Sequence, residues 1–251
     1  MKFIIKLTLA AITIFAMFSL ATSSKTSGDG KDLKLQTGLT SDGDGKVRYL
    51  KGINTTCPTG SALSAFRLRR SGSKLRYKAS CLSHESINKS PAPTTHYTSY
   101  NDRKDSNSSK GTNYLDRQHV KCPAGTLLSG FQLQDNGSKM RYKFTCIKAD
   151  LGTCYVKTTG KTEGGKNYSS IYLDRQSVKV TKSGKQALQG FSLKTKYIDW
   201  SWFKSTNINY SYRFTYCDVK TFKPTPIETT QAQEDQKALK VDARERNIRR
   251  R

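Results

Sequence analysis

Three copies of one pattern run through this chain, and that repetition constrains its fold more than any other feature. The first copy holds Tyr49-Leu50, Cys57-Pro58-Thr59-Gly60, Leu63-Ser64-Ala65-Phe66-Arg67-Leu68 and Leu75-Arg76-Tyr77-Lys78-Ala79-Ser80-Cys81. The second holds Tyr114-Leu115, Cys122-Pro123-Ala124-Gly125, Leu128-Ser129-Gly130-Phe131-Gln132-Leu133 and Met140-Arg141-Tyr142-Lys143-Phe144-Thr145-Cys146. The third holds Tyr172-Leu173, Leu188-Gln189-Gly190-Phe191-Ser192-Leu193 and Tyr212-Arg213-Phe214-Thr215-Tyr216-Cys217. Eight positions separate Tyr49 from Cys57 and Tyr114 from Cys122, and 24 separate Cys57 from Cys81 and Cys122 from Cys146. Units this short cannot each bury a core, so three of them must share one.

Each copy reads as β structure. Met140, Tyr142, Phe144 and Cys146 alternate with Arg141, Lys143 and Thr145, a period of two with one apolar and one polar face. Phe66/Leu68, Phe131/Leu133 and Phe191/Leu193 mark a second core-facing strand. The Gly or Ala before each Phe (Ala65, Gly130, Gly190) implies a tight bend or a close backbone approach. Ser71-Gly72-Ser73-Lys74 and Asp135-Asn136-Gly137-Ser138 carry hairpin-turn residues. A further short strand is expected to open each copy, near Leu33–Leu35, near Leu82 and at Tyr155–Lys157. The fold class expected is all-β, with three antiparallel sheets in a β-prism-like arrangement, stapled by disulfides. A β-sandwich and a trefoil-like barrel are the alternatives.

The cysteines fit the repeat. Cys57 pairs with Cys81 and Cys122 with Cys146; the third copy has Val180 in place of the first cysteine, which leaves Cys154 for Cys217. Six cysteines allow about 15 connectivities, and the repeat selects this one. No Cys-x-x-Cys occurs and only three histidines are present (His84, His96, His119), so neither a zinc site nor another metal or cofactor site is expected.

The pattern Cys122-Pro123-Ala124-Gly125 followed by Leu128-Ser129-Gly130-Phe131-Gln132-Leu133 resembles the vitelline membrane outer layer protein I family. Cys57-Pro58-Thr59-Gly60 and Phe66 match it in the first copy, and Gly190-Phe191-Ser192-Leu193 in the third. The third copy lacks the Cys-Pro pair, and Asp116-Arg117-Gln118 and Asp174-Arg175-Gln176 are not part of that pattern. The resemblance implies three repeats in a β-prism and an extracellular coat component or carbohydrate-associated protein, without a catalytic site.

Outside the repeats, Lys2 and Lys6 precede an apolar run from Leu7 to Leu20, and Ser19-Leu20-Ala21 places small residues at its end. The run is short for a membrane span and has the form of a secretory signal peptide, residues 1–21; a retained anchor is the alternative. Export makes disulfides the default and places the chain outside the cell, with no transmembrane segment. The segment and first repeat then cover 22–81, the second repeat 82–148, the third 149–222, and a basic polar tail 223–251. Asp42-Gly43-Asp44-Gly45 resembles a calcium loop but has Ile53 where the twelfth-position Glu belongs, so it reads as a turn. Residues 82–113 read as a long mobile polar excursion. The tail, ending in Arg249-Arg250-Arg251, reads as disordered, as a cleaved propeptide, or as an arm that grips a neighbouring subunit.

Six Asn-x-Ser/Thr sequons occur at Asn54, Asn88, Asn107, Asn136, Asn167 and Asn209, against about two expected by chance, so N-linked glycans are expected. The formal charge is +25, and +23 without Lys2 and Lys6, which attracts polyanions. Arg76, Lys78, Arg141, Lys143 and Arg213 fall on the polar face of the same strand in each repeat, joined by Arg67, Arg69 and Arg70. Export argues against nucleic acid as the target and favours anionic glycans. An insertion, Lys194–Ser211, carries Trp200, Trp202 and Phe203, as satellite core or as a contact surface.

Catalysis is not expected. The cysteines are committed to bridges, His119 stands where its siblings carry Ile53 and Ser177, and Asp116 and Asp174 are repeat-equivalent and so belong on different sheets. Each Asp-Arg-Gln reads as a turn or a local ion pair. Two functions remain. One is a secreted, glycosylated structural protein that self-assembles as a homo-oligomer or homopolymer into an extracellular coat, matrix or filament. The other is a lectin-like module that binds glycans or anionic polysaccharide.

Overall fold

The computed structural model describes residues 30–88, 90–105, 110–198 and 207–221. The signal segment, the Asn107 sequon, Trp200, Trp202, Phe203 and the tail from 223 onward lie outside the described residues. Each repeat contributes five strands. The first supplies β1 (Lys31–Gln36), β2 (Thr40–Ser41), β3 (Asn54–Thr56), β4 (Ser61–Ser71) and β5 (Lys74–Ser83). The second supplies β6 (Thr94–Tyr97), β7 (Asn101–Asp102), β8 (His119–Lys121), β9 (Thr126–Asp135) and β10 (Lys139–Lys148). The third supplies β11 (Leu151–Thr158), β12 (Thr162–Glu163), β13 (Val178–Lys179), β14 (Gln186–Ile198) and β15 (Asn207–Val219).

These strands form three antiparallel sheets, ordered β1-β5-β4-β13, β3-β9-β10-β6 and β11-β15-β14-β8. The fold is all-β, with three sheets and three disulfides. The order shows that no repeat keeps all its strands. β3 leaves the first repeat to pair with β9, β8 leaves the second to pair with β14, and β13 leaves the third to pair with β4. The donation closes a ring. A short 3-10 turn precedes each donated strand (Val47–Gly52, Thr112–Arg117, Ser170–Arg175). It buries the Leu of each Tyr-Leu pair: Leu50, Leu115 and Leu173.

The glycines before Phe131 and Phe191 now have their reason. A Cβ at Gly130 would meet the Thr55 carbonyl oxygen at 2.8 Å, and one at Gly190 the Val120 carbonyl oxygen at 2.3 Å. Both oxygens belong to donated strands, so glycine lets the neighbour's backbone lie close.

The three sheets enclose one core. The rings of Phe66, Phe131 and Phe191 form a near-equilateral triangle, with centroids 5.0, 4.8 and 4.9 Å apart. Each Tyr packs on the Phe of its own repeat: Tyr77 on Phe66, Tyr142 on Phe131 and Tyr212 on Phe191, at 6.0–6.1 Å. Each also packs on the Phe of the next repeat: Tyr77 on Phe131 at 5.3 Å, Tyr142 on Phe191 at 5.6 Å and Tyr212 on Phe66 at 5.6 Å. The same contacts recur three times around one axis, and each such pair adds about 0.5–1.5 kcal/mol beyond the area it buries.

Two expectations are corrected. The opening strand of the second repeat is β6, not a strand near Leu82, which lies inside β5. The 82–113 excursion carries β6, β7 and a helical turn, α1 (Glu85–Asn88). β6 is an edge strand with three of its four side chains exposed, which suits its polar composition. Asp42-Gly43-Asp44-Gly45 is a turn, with the Asp42 carboxylate accepting from the Asp44 N–H.

The third repeat departs from the others in its sulfur chemistry. Cys81, Cys146 and Tyr216 lie opposite Leu63, Leu128 and Leu188, so Tyr216 is the counterpart of the two cysteines. Cys217 sits one residue on, level with Leu82 and Ile147, on the other side of its strand. Cys57–Cys81 and Cys122–Cys146 form with Cα separations of 5.8 and 5.7 Å. Cys57 donates its N–H to Ser129 on the second sheet, and Cys122 to Gln189 on the third. Each of these bridges therefore ties one sheet to the next. Cys154–Cys217, with Cα atoms 4.0 Å apart, joins directly opposed residues of β11 and β15 within one sheet. The junction from the third sheet to the first is held by Val180, whose N–H donates to Ser64, and by the Tyr216 hydroxyl, 3.0 Å from Thr181 Oγ1.

Candidate interaction surfaces

Each Asp-Arg-Gln segment closes a 3-10 turn, the first of the two expected readings, and its side chains reach well beyond the turn. Gln118 is fully buried, donates to the Met140 carbonyl at 3.2 Å and to Ser99 at 3.4 Å, and accepts from the Thr98 hydroxyl. Thr98 in turn accepts the Tyr142 N–H at 2.9 Å. Gln176 repeats this with Tyr210, Gly160, Thr159 and the Tyr212 N–H. Each glutamine thus serves the backbone groups where its sheet edge bends away. The arginines lie over tyrosine rings, Arg117 on Tyr114 and Arg175 on Tyr172, both at 4.6 Å. Asp116 accepts from Thr195 on the third sheet at 2.6 Å, while the Asp174 carbonyl accepts from Arg67 on the first at 2.9 Å. In the first repeat Ile53 closes the turn as Gln118 does in the second. The counterpart of His119 is therefore Asn54, not Ile53.

A buried ionic cluster has no signature in the sequence. Arg103 pairs with Asp105 at 2.9 Å and with Asp135, and donates to the Gly137 carbonyl. Arg48 reaches Asp105 at 2.8 Å and Lys51 reaches Asp135 at 3.7 Å. No repeat position signals it, because Arg103 and Asp105 stand in the least regular stretch of the second repeat. Tyr77, Tyr142 and Tyr212 are buried in the shared core. Burial, the largest cause, pushes all three above the ordinary tyrosine range.

The polar faces carry the basic residues differently on each sheet. On the first, Arg67 lies directly opposite Lys78, and Arg69 opposite Arg76. On the second, Gln132 faces Lys143 and Gln134 faces Arg141. Arg141 donates to Gln134 at 2.9 Å and is held between Tyr97 and Tyr100, 4.1 and 4.3 Å from their centroids. On the third, Ser192 faces Arg213. That sheet bears a groove of about 350 Å³ floored by Gly190, with His119, Lys121, Lys194 and Arg213 on its walls. The matching groove on the second sheet holds about 110 Å³ and includes Asn54 and Lys143.

Four sequon asparagines, Asn54, Asn88, Asn136 and Asn167, are exposed, whereas Asn209 is half-buried between Glu163 and Lys196. Among the described residues no group of three His, Cys, Asp or Glu side chains could hold a metal ion, and no helix is long and apolar enough to cross a membrane.

The outer edge of the third sheet is β11, eight residues with Tyr155 39% and Val156 58% exposed. It is longer than the corresponding edges β1 (six residues) and β6 (four), and Cys154–Cys217 clamps it to β15. Tyr155 donates to Asp218 at 3.1 Å, and that bond is the main cause raising its pKa.

No family model, curated protein or solved structure matches this chain. The fold and its surfaces therefore define a class and no more: a disulfide-bonded, three-sheet β protein whose repeats exchange strands in a ring.

Proposed function

We propose that this is a secreted, glycosylated structural protein that self-assembles into an extracellular coat, matrix or filament, as its resemblance to the vitelline membrane outer layer proteins also implies. The observation that carries the reading is β11. An eight-residue edge with one lysine, no proline and exposed Tyr155 and Val156 is a template for pairing with another chain. Natural edges are normally blunted by charge, proline or a bulge; in β11 the register shift between Leu151 and Cys154 and the single Lys157 blunt it only in part, and Cys154–Thr158 stays in regular pairing with β15. A disulfide that fixes the edge to its sheet pre-organises it for docking. Three disulfides with no free cysteine among the described residues fit an oxidising compartment.

Negative-stain electron microscopy of the full secreted chain, disulfides intact, is the test. Polymers that contain only this chain are expected, growing with ionic strength as salt screens its positive charge. Val156→Lys should abolish them and leave the fold intact. Uniform monomers at every salt concentration would sink the reading. A second reading, glycan binding, is favoured by the cation pairs on the polar face of the first sheet.

A further inference from the structure

We infer that the outer face of the first sheet is a binding surface for an anionic polysaccharide, one bearing sulfate or carboxylate groups along an extended chain. The inference rests on the second reading above and is independent of assembly. Arg67–Lys78 and Arg69–Arg76 are directly opposed cation pairs on adjacent strands, an arrangement that costs stability in a sheet unless an anion lies over it. Lys34 and Lys179 stand on the same face, in the row that crosses Ala65 and Ser80. Side chains two residues apart on a strand are about 6.8 Å apart and those on neighbouring strands about 4.8 Å, a grid that meets successive charges of a chain laid across it.

The second sheet shows what the same positions look like when relieved. There Gln132 and Gln134 replace Arg67 and Arg69. Gln132 still donates to the neighbouring turn, at the Lys51 carbonyl, as Arg67 does at the Asp174 carbonyl. Gln134 accepts from the Arg141 Nε, whereas the Nε of Arg76, its counterpart, is shielded from solvent and has no hydrogen-bond partner. A buried guanidinium N–H without an acceptor carries a desolvation penalty; an oxyanion on the outer face meets the N–H groups of the exposed Arg69 and the outer part of the half-buried Arg76 and offsets the repulsion between the two. Charge-assisted N–H to oxyanion bonds are the strong class, and arginine favours them by its fork geometry. The face carries no aromatic side chain among its cross-strand pairs, so it offers no platform for stacking bases. A sulfated or carboxylated glycan suits it better than single-stranded nucleic acid.

The test is affinity chromatography and calorimetry of the full secreted chain on heparin, with uncharged dextran and single-stranded DNA as comparison probes. The key variant is R67Q/R69Q, which gives the first sheet the residues of the second. Heparin affinity should fall about tenfold or more for each charge-assisted hydrogen bond removed, and the salt dependence should become shallower. The melting temperature of the free protein should hold or rise, an outcome that mere structural damage would not give. Lys143→Gln, on the second sheet, removes a positive charge elsewhere and should change heparin affinity little. If wild type does not bind heparin, or R67Q/R69Q binds it as tightly as wild type does, the inference is overturned. In the latter case glycan binding survives at another face. Dextran bound as tightly as heparin, or DNA bound more tightly and lost in the same variant, would overturn the assigned ligand class.

Discussion

Replacing Phe131 by Ala tests whether the three sheets share one core. Phe131 is 3% exposed and its ring meets Phe66, Tyr77, Tyr142 and Phe191 at 5.0, 5.3, 6.0 and 4.9 Å. Truncating a buried Phe costs about 3–5 kcal/mol through lost transfer energy and the cavity left behind. The loss of four ring pairs, each adding about 0.5–1.5 kcal/mol, places this site in the upper half of that range. Three sheets converge on the hole, and inward movement by one is opposed by the other two, so relaxation recovers little. In a domain of this size that lowers the melting temperature by roughly 8–20 °C. Guanidinium titration of the disulfide-intact protein, followed by far-UV circular dichroism, reads it as a shift in midpoint at constant slope. Because the contacts recur around the axis, Phe66→Ala and Phe191→Ala should cost the same within about 1 kcal/mol, and any two of the three should be coupled by about 0.5–3 kcal/mol. A loss under about 1.5 kcal/mol at any of the three positions, or additive double variants, would refute a shared triangular core.

Gln118→Leu should cost about 2–4 kcal/mol, since it strands the Met140 carbonyl and the Thr98 hydroxyl in a buried setting; hydrogen exchange at the Tyr142 amide should accelerate with it. Tyr77, Tyr142 and Tyr212 have folded pKa values above that of the unfolded chain. Protons are then bound more tightly when folded, so stability is full below about pH 10 and falls as pH rises beyond it. Phenolate absorbance should show these three ionising only together with unfolding; their free titration in a folded protein would contradict their burial. Glycopeptide mapping should find sugar on the exposed Asn136 and Asn167 and none on Asn209, whose strand is paired on both sides.

The fold is legible in the sequence because its determinants recur. Alternation at Met140–Cys146 and the Phe-x-Leu motifs give strand identity and inward face, and the spacing of Cys57–Cys81 and Cys122–Cys146 gives the staples. Strand donation is not legible. β3, β8 and β13 are two or three residues long, too short for periodicity to assign them a partner, although Gly130 and Gly190 carry its trace. Cys217 resembles Cys81 in sequence because both end a Tyr-containing strand, yet a single-residue offset moves it across the sheet. The glutamines look like turn residues because hydrogen bonding to backbone leaves no mark in composition. The unmatched cation pairs require the register: in sequence Arg67 and Arg69 differ little from any other surface arginine.

Strand donation makes the molecule a closed loop of dependencies with one unsealed seam. The first sheet remains a strand short until Val178–Lys179 has been synthesised, so the earliest segment to leave the ribosome is among the last to be completed. Oxidation can lock the first-to-second and second-to-third junctions as each forms, but the third-to-first junction has Val180 and Tyr216 where the others have sulfur. Reversible opening therefore concentrates at that seam. A β13 released there can pair with the vacant position beside β4 in another molecule, linking two rings by the same contacts that close one.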